Sequence, residues 1–391
     1  MSTDFVAPIY LDYAATTPVR PEVAACIAPF FGAEFGNPSS AHRWGRAARA
    51  ALEDARERLA ACIGADADEV YFTSGGTEGD NLAVVGAFRS AQSRRAVVTT
   101  PIEHKAVLAA VHGLAAGGAV ERLLAVDGDG VVTEDAVLAA VGRDTAVVSV
   151  GWVNNEIGTV QDLPALAAVA KAAGGADLLV HSDAVQAFGK VAIDARRQAF
   201  DLLTLSGHKI GAPKGIGALY VRRGAPLAPL LAGGGQERGL RPGTENVAFA
   251  VGFARAAELA VAEREATGAR LRTVRDALQS ALLAAIPDAI VHAANAPRAP
   301  HVLNLSVPGI DGGALLRALD DAGIAVSAGS ACSSGSTTPS HVLLAIGVEP
   351  ALARGALRFS LGADSTARVV PRVAAAVGAL VDRLRAPALV A

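Results

Sequence analysis

Residues 201–221 read DLLTLSGHKIGAPKGIGALYV, and this stretch decides the fold. Residues 202–205, three leucines and a threonine, are a mostly apolar run too short for a helix, which reads as a strand covered on both faces. The run stops abruptly in Ser206, His208 and Lys209. The turn GAPKGIG then leads into a second strand, GALYV. Upstream, the same kind of run recurs as EVYFTS (69–74), AVVTT (96–100), AVVSVGWV (146–153) and DLLVHSD (177–183). Between these runs lie RAARAALEDARERLAACIG (46–64), EGDNLAVVGAFRSA (78–91), KAVLAAVHGLA (105–115) and LPALAAVAKAAGG (163–175). Their apolar residues fall three and four apart, as on one face of a helix. Alternation of this kind predicts an α/β fold with a mostly parallel sheet covered by helices. A long amphipathic stretch, about 251–286, bridges to a smaller α+β domain with strands HVLNLSV, GIAVSAGS and ALRFSLG. We expect a large domain over 16–258 and a small one over 259–391. Residues 1–15 form a separate segment whose return to the small domain the pattern leaves open.

Composition narrows the function. The chain has 391 residues and a formal net charge of −3, with no basic tract, so nucleic acid and anionic lipid are disfavoured as partners. A mean hydropathy of +0.35 looks membrane-like. Much of it is alanine, however, and no uncharged apolar stretch reaches the ~18–20 residues a spanning helix needs. The N-terminus lacks the basic-then-apolar pattern of a secretion signal, and the expectation is a cytoplasmic protein. Cys26, Cys62 and Cys332 cannot pair completely and form no CxxC, which argues against a disulfide scaffold and a preformed zinc site.

Ligands of open parallel sheets bind beyond the carboxyl ends of the strands. Here those ends are polar. The first run opens into TSGGTEGDN, whose free amides and helix dipole would hold an anion with the Thr77 hydroxyl, although a plain turn with an N-cap explains it equally well. The next delivers His104, the next Asn154, Asn155 and Glu156, and the next Asp183 with Gln186 a turn on. Asp183 reads either as an N-cap or as a carboxylate holding a heterocyclic nitrogen protonated. Only five residues are lysines: 105, 171, 190, 209 and 214. Arginine cannot shed its proton, whereas lysine can and so can form a Schiff base. Lys209, at a strand end between His208 and the turn, suits that chemistry best. Lys105, Lys171 and Lys190 are expected to be solvated. Neither glycine-rich stretch is a Walker loop or a GxGxxG fingerprint. A phosphate cradle, a carboxylate for a ring nitrogen and a Schiff-base lysine together describe a pyridoxal-phosphate site.

The chain resembles the cysteine desulfurases of the NifS/IscS type, in the class V aminotransferase group of fold-type-I pyridoxal-phosphate enzymes. The motifs that carry the resemblance are YLDYAATTP, NPSSAHRWG, FTSGGTEGDN, EHKAV, NNEIGT, DAVQ, SGHKIGAPKGIGALYV, GGGQERGLRPGTEN and SAGSACSSGS, in this order. It implies a homodimeric transferase that takes sulfur from L-cysteine, leaving L-alanine and a persulfide on Cys332. By resemblance, Lys209 binds pyridoxal 5'-phosphate and moves protons, Asp183 pairs with the ring nitrogen, and Gln186 bonds the phenolate oxygen. His104 stacks on the ring and can act in acid–base steps. Gly76, Thr77, Ser206 and His208 hold the phosphate, with Thr244 reaching it from the partner subunit. Asn155 and Arg358 bind the substrate carboxylate, although Arg358 could also be an ordinary surface-strand arginine. Cys332 lies among small polar residues and glycines, a composition suited to a mobile exposed loop, and its thiolate is the expected nucleophile. Cys26 and Cys62 lie on apolar helical stretches and are expected to be inert core residues. A sulfur-acceptor or iron–sulfur scaffold protein is the implied partner, with a transient iron–sulfur contact through the Cys332 persulfide.

Two departures are visible. Gly76 stands where the family often has alanine, a harmless change in a loop that works through its backbone. The chain stops soon after VAAAVGALVDRLRAP (373–387), where members that serve an iron–sulfur scaffold often have a longer tail, so the acceptor stays open. Two other readings remain: a selenocysteine lyase, which would share almost every residue above, and a non-catalytic partner-binding scaffold, against which Lys209 argues.

Overall fold

A computed structural model describes residues 7–91, 93–328 and 338–386. The chain enters through β1 (Ile9–Tyr10) and then lays down β2 (Val70–Thr73), β3 (Ala96–Thr99), β4 (Val120–Leu123) and β5 (Thr145–Ser149). β6 (Leu179–Asp183), β7 (Leu202–Ser206) and β8 (Gly217–Val221) complete a seven-stranded sheet of order β2-β8-β7-β6-β5-β3-β4. β8 runs antiparallel to both β2 and β7, and the other pairs are parallel. The reversal follows from the sequence, because GAPKGIG is too short to carry a crossover helix. Every residue of β3, β5, β7 and β8 is buried, as strands covered on both faces require.

One face of the sheet packs on the helix Arg43–Cys62, the helix Leu163–Gly174 and the first part of the helix Val247–Ala285. The other face packs on the helices Gly76–Ser90 and Lys105–Ala116. At ~1.5 Å per residue, the 39-residue helix Val247–Ala285 is about 60 Å long. Its Phe253, Ala256 and Ala257 belong to the first core, while Leu271, Val274, Leu278 and Leu282 belong to a second. The boundary drawn at 258/259 therefore falls inside one continuous helix. The second core gathers β9 (Ile290–Val291), β10 (Val302–Ser306), β11 (Ile324–Ala325) and β12 (Ala356–Ser360). β12, β10 and β9 form an antiparallel sheet, and β11 pairs in parallel with β1. Ile9 and Leu11 pack into that second core.

Two differences from the sequence reading have simple causes. β4 (VERL) is an edge strand with charged residues at its centre, so it shows no apolar run. In the described part of the stretch GIAVSAGS, residues 323–328, the strand is Ile324–Ala325, as short as the two-residue partner it pairs with. Among the described residues, no helix is long and apolar enough to cross a membrane.

Candidate active site

The carboxyl ends of the parallel strands open onto a cavity of about 410 Å³ closed on its far side by residues 14–15 and Arg358. β2 hands over to the helix Gly76–Ser90 through Gly75, whose φ of 156° suits glycine. Gly76 and Thr77 then line the cavity from the first turn of that helix. A Cβ on Gly76 would lie 2.9 Å from Val185 Cγ2 and 3.8 Å from Ser206 Cβ, so this glycine lets β6, β7 and the helix start converge. Ser206 Oγ, at the end of β7, is buried there with no hydrogen-bond partner. An orphaned hydroxyl beside the amino end of a 15-residue helix fits a phosphate group.

The opposite end of the cavity fits a protonated ring nitrogen. Asp183 ends β6, and its Oδ1 accepts from the Val185 amide at 2.9 Å, an interaction that serves the turn and leaves the carboxylate in the cavity wall. Burial raises its pKa, while the His104 ring and the Lys209 ammonium oppose the rise. His104 caps the next helix, its Nδ1 accepting from the Ala106 amide at 3.1 Å. Lys209 Nζ donates to the carbonyls of Ala14 and Ala15 at 2.7 and 2.8 Å. Gln186 Nε2 donates to the same Ala14 oxygen at 2.9 Å, and its Oε1 lies 3.2 Å from His301 Nε2. His208 Nδ1 meets Thr16 Oγ1 at 3.1 Å. Burial, with Lys209 and Lys214 nearby, pushes His208 down to about 4, so it presents a neutral ring. Donors for a phosphate, a carboxylate for a nitrogen and a lysine amine between them match pyridoxal phosphate.

On the substrate side, Arg358 is 1% exposed in the middle of β12, which rules out an ordinary surface arginine. Its Nη1 donates to the Asn155 carbonyl at 3.0 Å and its Nη2 to Asp12 Oδ1 at 2.7 Å, while its buried Nε has no partner. Asn155 lines the same wall. Two further carboxyls stand close by. Burial pushes Glu103 up to about 7 although it accepts from the Gly151 amide, and pushes Glu156 up to about 7 although it accepts from the Ser340 hydroxyl.

Ten of the twelve predicted site residues therefore share one cavity, and among the described ones Thr244 alone does not. Thr244 is exposed and lines a separate cavity of about 250 Å³ with Ser74 and Gly215. Its loop is pinned by Arg56, whose guanidinium donates to both carboxylate oxygens of Glu237 at 2.6 and 2.7 Å. Cys332 lies outside the described residues. Cys26 and Cys62 are half-buried helical thiols whose pKa burial raises, in Cys62 to about 11. The expectation of three solvated lysines holds for Lys105 only. Lys171 pairs with Asp201 at 2.6 Å, and the Lys190 amine is buried without a hydrogen-bond partner and pushed down to about 7. Lys171 lies on the helix Leu163–Gly174 and Lys190 in the turn after β6, and the segments that enclose them come from elsewhere in the chain, which the local pattern does not register.

Sequence reasoning missed Asp12, Asp80, Glu103 and His301. Asp80 and Glu103 stand inside quoted motifs, so their acid type at a strand end was the available signal. Asp12 stands inside YLDYAATTP and His301 begins the stretch HVLNLSV, but their partners, Arg358 and Gln186, lie 346 and 115 residues away, so the local pattern assigns them no role.

The chain belongs to the aminotransferase class-V family, whose model matches residues 9–373, and this family is pyridoxal-phosphate-dependent. It is 44% identical over 378 residues to a cysteine desulfurase of Trichormus azollae, covering 97% of this chain and 94% of the relative. It is 42% identical over 381 residues to the cysteine desulfurase NifS of Azotobacter vinelandii, covering 97% and 94%. Among solved structures, a NifS-like protein superposes with a TM-score of 0.90 at 36% identity, covering 96% of this chain and all of the other.

Proposed function

We propose that the protein is a pyridoxal-phosphate-dependent cysteine desulfurase converting L-cysteine and the Cys332 thiol into L-alanine and a Cys332 persulfide. The observation that carries the reading is the meeting of the Lys209 amine, the Asp183 carboxylate and the orphaned Ser206 hydroxyl in one cavity. The relatives' names point to cysteine rather than selenocysteine, and an intact Lys209 does not suit a mere scaffold.

When bound, pyridoxal phosphate supplies an electron sink that weakens bonds at the substrate's Cα. The chain's own groups do the rest. Ser206, His208, Thr77 and the amides from Gly76 onward hold the phosphate. Asp183 keeps the ring nitrogen's proton, Gln186 bonds the phenolate oxygen, and His104 covers the ring. Arg358 and Asn155 orient the substrate carboxylate, with Asp12 yielding part of its hold on Arg358. Lys209 holds the cofactor and moves the proton at Cα. The Cys332 thiolate attacks the substrate sulfur. The carbon–sulfur bond breaks, a sulfur–sulfur bond forms at Cys332 Sγ, and the carbon fragment leaves as alanine. The exposed Thr244 reaches the phosphate of a second copy, making a homodimer. The persulfide passes to a sulfur-acceptor or iron–sulfur scaffold protein in the cytoplasm, with a transient iron–sulfur contact at Cys332.

Incubation with L-cysteine and a thiol reductant tests this directly. We expect sulfide and alanine in equal amounts, and Cys332→Ala should keep the yellow cofactor yet release almost no sulfide. Equal activity in Cys332→Ala, or sulfide without alanine, would contradict the mechanism. Turnover of selenocysteine but not cysteine would move the assignment to the lyase.

A further inference from the structure

Asp80 also lines the cavity, beside Asp183 and away from solvent. It lies one turn into the helix Gly76–Ser90, is 1% exposed, and its Oδ1 has no hydrogen-bond partner. One side-chain ligand atom each of Asp80, His104 and Asp183 lies within 4.8 Å of the other two. Two carboxyls that close in a buried wall do not both ionise, so the pair carries one proton. The groups around Asp80 decide which member holds it. β6 presents Asp183 and His181, β7 presents Thr204, and the connection after β3 presents Glu103 and His104.

Asp183 has the better place for charge, since it accepts from the Val185 amide and faces His104 and Lys209. Asp80 has only the Thr204 hydroxyl, with Glu103 adding repulsion. His181 is near enough to compete for the proton, with Nε2 3.7 Å from Asp80 Oδ1. Both its ring nitrogens are already engaged, however, Nδ1 with Ser149 Oγ at 2.8 Å and Nε2 with Thr204 Oγ1 at 2.9 Å, and burial keeps the ring neutral. The hydroxyl and imidazole groups can therefore run in one direction, from Ser149 through His181 and Thr204 to Asp80.

We propose that Asp80 is a positioning residue, an un-ionised carboxylic acid behind Asp183 that confines the pair's negative charge to the oxygen atoms facing the ring nitrogen. The location of the proton rests on the burial of the two carboxyls, their separation and the groups that face each of them. Its purpose rests on the cofactor reading above.

Infrared difference spectra of the purified protein, wild type minus Asp80→Asn, read the proton directly. Carboxyls common to both proteins, Glu103 and Glu156 among them, cancel in the difference, and a carbonyl stretch of an un-ionised carboxyl should be present in wild type and vanish in Asp80→Asn. Asp183→Asn should lower kcat about a hundredfold or more. Asparagine copies the shape of the un-ionised acid, so Asp80→Asn should lose less than about tenfold in kcat, and Asp80→Ala more, with KM little changed in both. Circular dichroism confirms that each variant is folded. No band in wild type, or a band that survives Asp80→Asn, would overturn the proposal. The band is read whether or not cofactor is loaded. A colourless protein that keeps it would therefore overturn the functional reading and leave this one standing.

Discussion

Lys209 owes its position to two carbonyl oxygens from the other end of the chain, Ala14 and Ala15. That grip aims a compact amine into the cavity, and a guanidinium can copy its charge but not its chemistry. Lys209→Arg should fold, yet sulfide release should fall to background, and borohydride should attach no cofactor to it by mass spectrometry. Behind the cavity, burial holds His181 down to about 3 against an ordinary 6.5. As pH falls, the unfolded chain takes up this proton first. The contribution to stability is therefore complete above about 6.5 and drains away toward about 3, at ~1.4 kcal/mol per pH unit. His181→Gln should flatten the acid limb of a urea-denaturation series by about that slope between pH ~4 and ~6. An unchanged slope would show that the acid sensitivity lies in other groups. Lys209 was legible from the sequence, because few lysines occur and this one ends a strand. The neutral state of His181 was not, since it depends on Ser149 and Thr204 from flanking strands.

Among the elements, the loop 233–246 is held by a buried ion pair. Arg56 and Glu237 are both buried, and Glu237 Oε2 also accepts from the Phe72 amide at 2.8 Å. Glu237 and Arg238 adopt φ values of 44° and 55°, left-handed backbone that non-glycine residues take only when held. Arg56→Met leaves a buried carboxylate unpaired and should cost about 3–5 kcal/mol in denaturant unfolding. The double variant Arg56→Met, Glu237→Leu should regain part of that loss, because neither charge is left alone. A double variant no better than the single would mean that packing, not charge, holds the loop.

At the scale of the whole molecule, Thr244 is exposed and lines a cavity of about 250 Å³ separate from the 410 Å³ one. Phe31 and Phe35 are exposed at 66% and 70%, and Phe31 packs edge-on against Phe249 on the helix that follows the Thr244 loop. Apolar groups this open suit burial against a second copy. Mixing Thr244→Ala with Lys209→Ala subunits places an intact threonine and an intact lysine in one composite site. Mixed dimers should recover part of one site's activity, and none should appear if Thr244 serves its own chain. A lost hydrogen bond to a charged group costs on the order of 1.5–3 kcal/mol, so Thr244→Ala alone should weaken cofactor retention at least tenfold.

The sequence by itself determined the alternation of buried strands and amphipathic helices, and with it the sheet ends where Asp183, Ser206 and Lys209 collect. Those features are local, since a strand's burial and its polar end are written within a dozen consecutive residues. The antiparallel β8 was equally implicit in a connection too short for a helix. Only the tertiary structure decided that Arg358 is buried against Asp12, that Lys190 loses its water, and that Asp80 stands behind Asp183. It also decided that residues 14 and 15 hold Lys209. The physical reason is the same in each case. Burial and charge depend on which distant segments arrive at a point, and no periodicity along the chain records that meeting.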